Sequence, residues 1–106
     1  MSEIIINTLK NILDQTLETK YEAYLLGSQA TGRSDFLSDW DFFIITDETF
    51  SRTLKKEIKL KIHRLFHTSL PTNPIDLIMV DRNTFESEKL IPNTISNEVF
   101  YEGIKI

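Results

Sequence analysis

Residues 25–45 read LLGSQATGRSDFLSDWDFFII. An apolar run ends in Gly27-Ser28, ten residues follow from Gln29 to Ser38, and a second apolar run opens on Asp39-Trp40-Asp41. Each apolar half has the composition of a short strand, so the segment predicts two strands separated by a turn and a loop. Side chains two apart on a strand share a face. Asp39 and Asp41 therefore stand on one side, roughly 7 Å apart at the backbone, and Trp40 points the other way. Gly27 lets the backbone turn sharply and approach a ligand, and the Ser28 hydroxyl and amide, opening a short helix, are donors suited to phosphate oxygens.

Alone, a Gly-Ser pair is usually a turn and an Asp-x-Asp pair is usually solvated. Their joint occurrence at facing strand ends describes more: donors that grip phosphates next to carboxylates that bind metal. Magnesium takes oxygen ligands and commonly keeps one or two carboxylates plus substrate phosphates. Two such ions about 4 Å apart can hold the attacking and leaving oxygens of an in-line displacement. The reaction class implied is nucleotidyl transfer from a nucleoside triphosphate.

A third carboxylate lies in Pro74-Ile75-Asp76-Leu77-Ile78-Met79-Val80-Asp81. This near-continuous apolar run predicts an interior strand covered on both faces, with Asp76 inside it. A buried, unpaired carboxylate costs several kcal/mol or becomes neutral. Either a cation compensates Asp76, or the residue lies at the wet end of its strand. A metal shared with Asp39 and Asp41 satisfies the first alternative and makes Asp76 the candidate general base. The plainer alternative is a capped or salt-bridged aspartate at a strand edge.

The stretch GSQATGRSDFLSDWDFFI resembles the signature of the minimal nucleotidyltransferases, small relatives of the polymerase-beta superfamily. Their pattern is Gly-Ser, ten residues, Asp-x-Asp, and a third Asp on a later strand, matched here by Gly27-Ser28, the spacer Gln29 to Ser38, Asp39 with Asp41, and Asp76. The closing NTISNEVFYEGIKI is similar to the usual ending of these domains, a helix running into a short Glu-Gly-apolar strand at Glu102-Gly103-Ile104. The resemblance implies a polymerase-beta-like fold and an antitoxin paired with a HEPN-domain toxin ribonuclease. It also implies transfer of AMP from ATP to a tyrosine of that toxin. One departure stands out: many members carry a base just before the spacer glycine, whereas this chain has Thr31 before Gly32 and its base at Arg33. Arg33 either reaches the same phosphates from the next position, its fork matching phosphate oxygens, or is an ordinary surface arginine.

The length of 106 residues predicts a single nucleotidyltransferase domain spanning 1–106, with chain for one core and no second lobe. No segment approaches the roughly 20 apolar residues of a membrane span and no leader-like segment precedes the first helix, so a cytoplasmic location is expected. The chain has no cysteine, which leaves carboxylates as the candidate metal ligands. A net charge of −4 argues against broad nucleic-acid binding. The one basic concentration is Arg52, Lys55, Lys56, Lys59, Lys61 and Arg64, in a segment where Leu54, Ile58, Ile62 and Leu65 recur at helical spacing. It reads as a solvated helix face, or as a dock for an acidic partner or the nucleotide tail.

The same periodicities predict an α/β sandwich on a small mixed sheet flanked by helices, with the carboxylates clustered at one edge. Ser2 caps a first helix that buries Ile5, Leu9, Ile12, Leu13 and Leu17. A strand runs from about Tyr21 to Leu26, a second from Asp39 to Ile45, a basic helix from about Ser51 to Thr68, and a third strand from Ile75 to Val80. Pro71 and Pro74 separate that helix from the third strand. Thr84 caps a short helical turn before Pro92, and a last helix covers about Asn93 to Phe100. Trp40, Phe42 and Ile44 belong in the core opposite the aspartates, while Phe43 is either core or lines the base pocket. His63 and His67 share a helix face but lack a third ligand, and so are set aside as a metal site. Asp35, Asp47 and Asp81 read as turn residues.

Two readings stand beside protein adenylylation. One is transfer to a small hydroxylated acceptor such as an antibiotic, which needs an extra pocket. The other is an idle antitoxin that acts by binding alone, which three clustered like charges without a cation argue against.

Overall fold

The computed structural model describes residues 3–27 and 39–106. Ser2, Ser28, Arg33, Asp35 and the short helix expected after the Gly-Ser turn lie outside the described residues. The elements run α1 (Glu3–Thr16), β1 (Tyr21–Leu26), β2 (Trp40–Thr46), α2 (Arg52–Ser69), β3 (Ile75–Asp81), α3 (Arg82–Glu88), α4 (Ile95–Glu102) and β4 (Ile104–Lys105). The strands form one mixed sheet in the order β3-β2-β1-β4. β1 is antiparallel to both β2 and β4, and β2 is parallel to β3. Parallel neighbours need a long crossover, and α2 supplies it.

Local chemistry sets the helix ends. Ser51 caps α2, its hydroxyl accepting from the Leu54 amide at 3.1 Å. Asp81 caps α3, accepting from the Thr84 amide at 3.1 Å and the Thr84 hydroxyl at 2.7 Å. The cap is thus Asp81 and not Thr84: the carboxylate reaches the free amide of the first turn, and Thr84 is its donor. Thr94 caps α4, accepting from the Asn97 amide at 3.1 Å.

The sheet is covered on both faces. On one, Ile5, Leu9, Ile12 and Leu13 of α1 and Ile62 and Phe66 of α2 pack on Ala23, Leu25, Trp40, Phe42, Ile44, Leu77 and Met79. On the other, Phe85 of α3 and Val99 of α4 pack on Leu26, Phe43 and Ile45. Trp40, Phe42 and Ile44 take their expected side. Phe43 resolves to core, fully buried with its ring 6.0 Å from that of Phe85.

Two expectations change. β3 is an edge strand, not an interior one, and Asp76 near its start is exposed. Its apolar run is continuous because Ile75, Leu77 and Met79 fill the main core while Ile78 and Val80 pack partly buried against the second cluster. The apolar seam of α2 is also narrower than its periodicity suggests, since Ile62 and Phe66 are buried whereas Leu54, Leu60 and Leu65 are exposed. Lys55 of α2 donates from Nζ to the Met79 carbonyl at 3.0 Å, tying the helix to strand β3.

Candidate active site

The site lies where β1 ends and β2 and β3 begin. Asp41 is the register partner of Leu26 on one side and of Asp76 on the other. Neighbouring strands stand about 4.8 Å apart, so the two aspartates sit side by side and project from the same sheet face. That face is the one covered by α3 and α4, since Phe43 and Ile45, two and four residues beyond Asp41, belong to their cluster. Asp39 directly precedes β2 and is exposed.

Gly27 directly follows β1 with a φ of 74°, in the left-handed region that favours glycine. A Cβ at this position would lie 2.5 Å from Oδ2 of Asp41. The Asp41 carboxylate therefore occupies the space a side chain would fill, and Gly27 is what lets the two segments meet.

Burial pushes the Asp41 carboxyl pKa up, and the negative charges of Asp76, Asp39 and Glu98, in that order, push it further. Three of these four carboxylates were expected from the sequence. Glu98 was not. It sits on α4 in a segment with no motif of its own, and only the packing of that helix over the same sheet face brings it near Asp41. α4 also lines an open groove of about 550 Å3 with Thr94, Asn97, Glu98 and Tyr101.

His63 lies on α2, which packs on the other face of the sheet, and feels the charge of Asp76. Burial lowers its pKa first, His67 and Lys59 lower it further, and the charge of Asp76 opposes them. The His63 and His67 rings stack with centroids 5.9 Å apart, and Nε2 of His67 lies 3.0 Å from the Asn73 carbonyl. Among the described residues, no three His, Asp or Glu side chains gather closely enough to enclose a metal ion. Asp41 and Asp76, with Asp39 beside them, instead offer hard oxygen donors from one side only. Crowded like charges of this kind fit a divalent cation whose remaining ligands are water and substrate phosphates, the usual habit of magnesium.

Residues 6–106 match the nucleotidyltransferase domain family. The mixed four-stranded sheet with helices on both faces agrees with the polymerase-beta-like nucleotidyltransferase fold. No curated protein matches the sequence. Among solved structures, the fold is similar to that of a toxin-antitoxin with AMP-PNP, with a TM-score of 0.64 at 19% identity over 93% of this chain and 69% of that one. It is also similar to a structure from Shewanella oneidensis, with a TM-score of 0.61 at 17% identity over 99% of this chain and 71% of that one. A third likeness is to the toxin-antitoxin MntA-HepT, with a TM-score of 0.61 at 16% identity over 98% of this chain and 70% of that one. At these identities the likeness is one of fold.

Proposed function

The chain belongs to the nucleotidyltransferase domain family, and from that premise we propose that it is an antitoxin that transfers AMP from ATP to a tyrosine hydroxyl of a partner HEPN toxin ribonuclease. The observation that carries the reading is the in-register pair Asp41 and Asp76, beside Asp39 and against Gly27. In support, one protein of similar fold is a toxin-antitoxin solved with AMP-PNP and another is the toxin-antitoxin MntA-HepT.

Asp39, Asp41 and Asp76 would hold magnesium, two ions in the full site, and the metal would supply charge neutralisation on the phosphates and alignment of the displacement. Gly27 keeps the turn open for the triphosphate, and Ser28 and Arg33 donate to its oxygens. Asp76, the exposed register partner of Asp41, accepts the proton of the attacking tyrosine hydroxyl as general base. The tyrosine oxygen forms a bond to the α-phosphorus, the bond from that phosphorus to the bridging oxygen breaks, and pyrophosphate leaves. A macromolecular acceptor brings its own binding surface, which suits a single domain spanning 1–106. A cytoplasmic setting, where ATP and a ribonuclease toxin meet, belongs to the same proposal. Among the described residues no helix is long and apolar enough to cross a membrane.

The test is intact-mass spectrometry of the protein encoded by the adjoining gene after incubation with this chain, magnesium and ATP. The same reaction with the Asp39→Asn, Asp41→Asn double variant is the control. A gain of whole AMP units that disappears with the variant supports the reading and names the acceptor. No gain despite stable co-purification overturns it and leaves neutralisation by binding alone.

A further inference from the structure

Six of the chain's 12 Lys and Arg residues lie on α2, beside one acidic residue, Glu57, in a chain of net charge −4. This segregation is spatially ordered. Arg52, Lys56, Lys59 and His63 follow at intervals of four, three and four residues, so they stack on one side of the helix as a stripe about 16 Å long. With Lys55 and Leu60 they line an open groove of about 340 Å3. A second groove, of about 370 Å3, runs along the helix past Glu57, Lys61, Arg64 and Leu65, and Leu60 belongs to both. Leu60 is 53% exposed, a large apolar side chain ringed by cations. The stripe has direction. Lys55 is held by the Met79 carbonyl of β3, and at the far end His63 lies within electrostatic reach of Asp76.

We propose that this face of α2 docks an acidic segment of the acceptor protein, with one apolar side chain of that segment seated on Leu60, and so presents the acceptor hydroxyl to the carboxylates beyond His63. The proposal rests on the reading of the chain as a protein nucleotidyltransferase. Charge complementarity selects the partner, because a surface this basic on an otherwise acidic molecule attracts negative charge to one place and repels it elsewhere. The exposed leucine selects a protein segment over RNA. Single-stranded RNA is held by open aromatic platforms, whereas on α2 Phe66 is buried and the His63 and His67 rings stack on each other. A leucine among cations instead matches a segment that alternates carboxylates with apolar side chains.

The test has two arms. In the first, fluorescence anisotropy follows binding of this chain to a random Glu-Leu copolymer, to poly-L-glutamate and to poly-uridylate at low salt. The copolymer is expected to bind most tightly, the Lys56→Glu, Lys59→Glu double variant to lose about tenfold in affinity for it, and Leu60→Ala to bind the copolymer no better than poly-glutamate. Tighter binding of poly-uridylate, or copolymer binding that ignores the double variant, overturns the proposal. Circular dichroism on both variants confirms that α2 is intact. The second arm measures AMP transfer to the acceptor identified by mass spectrometry. The double variant is expected to raise the acceptor KM about tenfold with kcat and the ATP KM unchanged, and an unchanged acceptor KM overturns the docking role. Absence of transfer to any protein by the unaltered chain sinks the enzymatic reading, whereas the copolymer arm still decides whether the face takes acidic segments.

Discussion

Oδ2 of Asp41 lies 2.5 Å from where a Cβ on Gly27 would stand. The carboxylate and the turn are thus fitted to each other, with the glycine backbone at a φ of 74°. Gly27→Ala asks the chain for two concessions, a strained backbone and a displaced carboxylate. It is expected to cost about 1–3 kcal/mol of stability and to abolish most transfer activity, the activity loss exceeding what unfolding at the assay temperature explains. Urea denaturation paired with the transfer assay checks this, and wild-type activity in the variant would refute the fit.

Asp41 carries the second prediction. Its folded pKa is raised above the ordinary 3.8, by burial first and then by Asp76, Asp39 and Glu98. The folded protein then keeps this proton through a pH range in which the unfolded chain has released it. The stability contribution is therefore greatest below the unfolded value and declines as pH rises through the folded one. At pH 7 without metal the charge is a liability, and Asp41→Asn is expected to raise the urea midpoint. Glu98→Gln, removing one of the neighbouring charges, should do so to a smaller degree. Magnesium with ATP at 100 times its dissociation constant is expected to reverse the order by stabilising the unaltered protein by about 2.7 kcal/mol. Midpoints measured in EDTA and with magnesium and ATP decide it, and a less stable Asp41→Asn in EDTA would count against the account.

What the sequence made legible depends on whether the signal was local. The bounds of β1 and the buried set Ile5, Leu9, Ile12 and Leu13 follow from period alone. Asp41 and Asp76 could be nominated because each carries its context in its own strand. Their side-by-side register could not be read, because parallel pairing is a tertiary fact. Glu98 was invisible for the same reason: nothing within the last helix distinguishes it from Glu102 until α4 packs over the sheet. The edge position of β3 was misjudged because a strand with one face in the main core and the other partly covered by a second cluster reads as uniformly apolar.

Asp81 separates structure from chemistry on the same strand. It lies five residues beyond Asp76, at the opposite end of β3, where it caps α3 through the amide and hydroxyl of Thr84. Those hydrogen bonds hold its carboxyl pKa below the ordinary 3.8. Asp81→Ala is expected to cost about 1 kcal/mol in urea denaturation, within the usual range for losing an N-cap, with kcat unchanged. A variant folded as stably as the parent but inactive would move Asp81 into the site.

The acid limit of the fold is expected to involve Glu22. Its carboxyl pKa is lowered from the ordinary 4.5, foremost by the Tyr24 hydroxyl donating at 2.8 Å, against the opposing effect of burial, and then by Arg82 and Lys105. Arg82 links Glu22 on β1 to Asp47 and Glu86, so one guanidinium joins the sheet to α3. A depressed carboxylate pKa gives stability that is present above the unfolded value and is lost as pH falls through the folded one. Both Arg82 and Glu22 side chains are 30% exposed, and solvent screening keeps the pair modest. Arg82→Ala is expected to cost about 0.5–1 kcal/mol at pH 7. The difference from the parent should shrink as the medium is acidified below the folded pKa of Glu22, because protonation silences the partner in both proteins. Urea midpoints for parent and variant across that range test the assignment, and a deficit that stays constant into acid would place the role of Arg82 in packing its aliphatic stem and not in its charge.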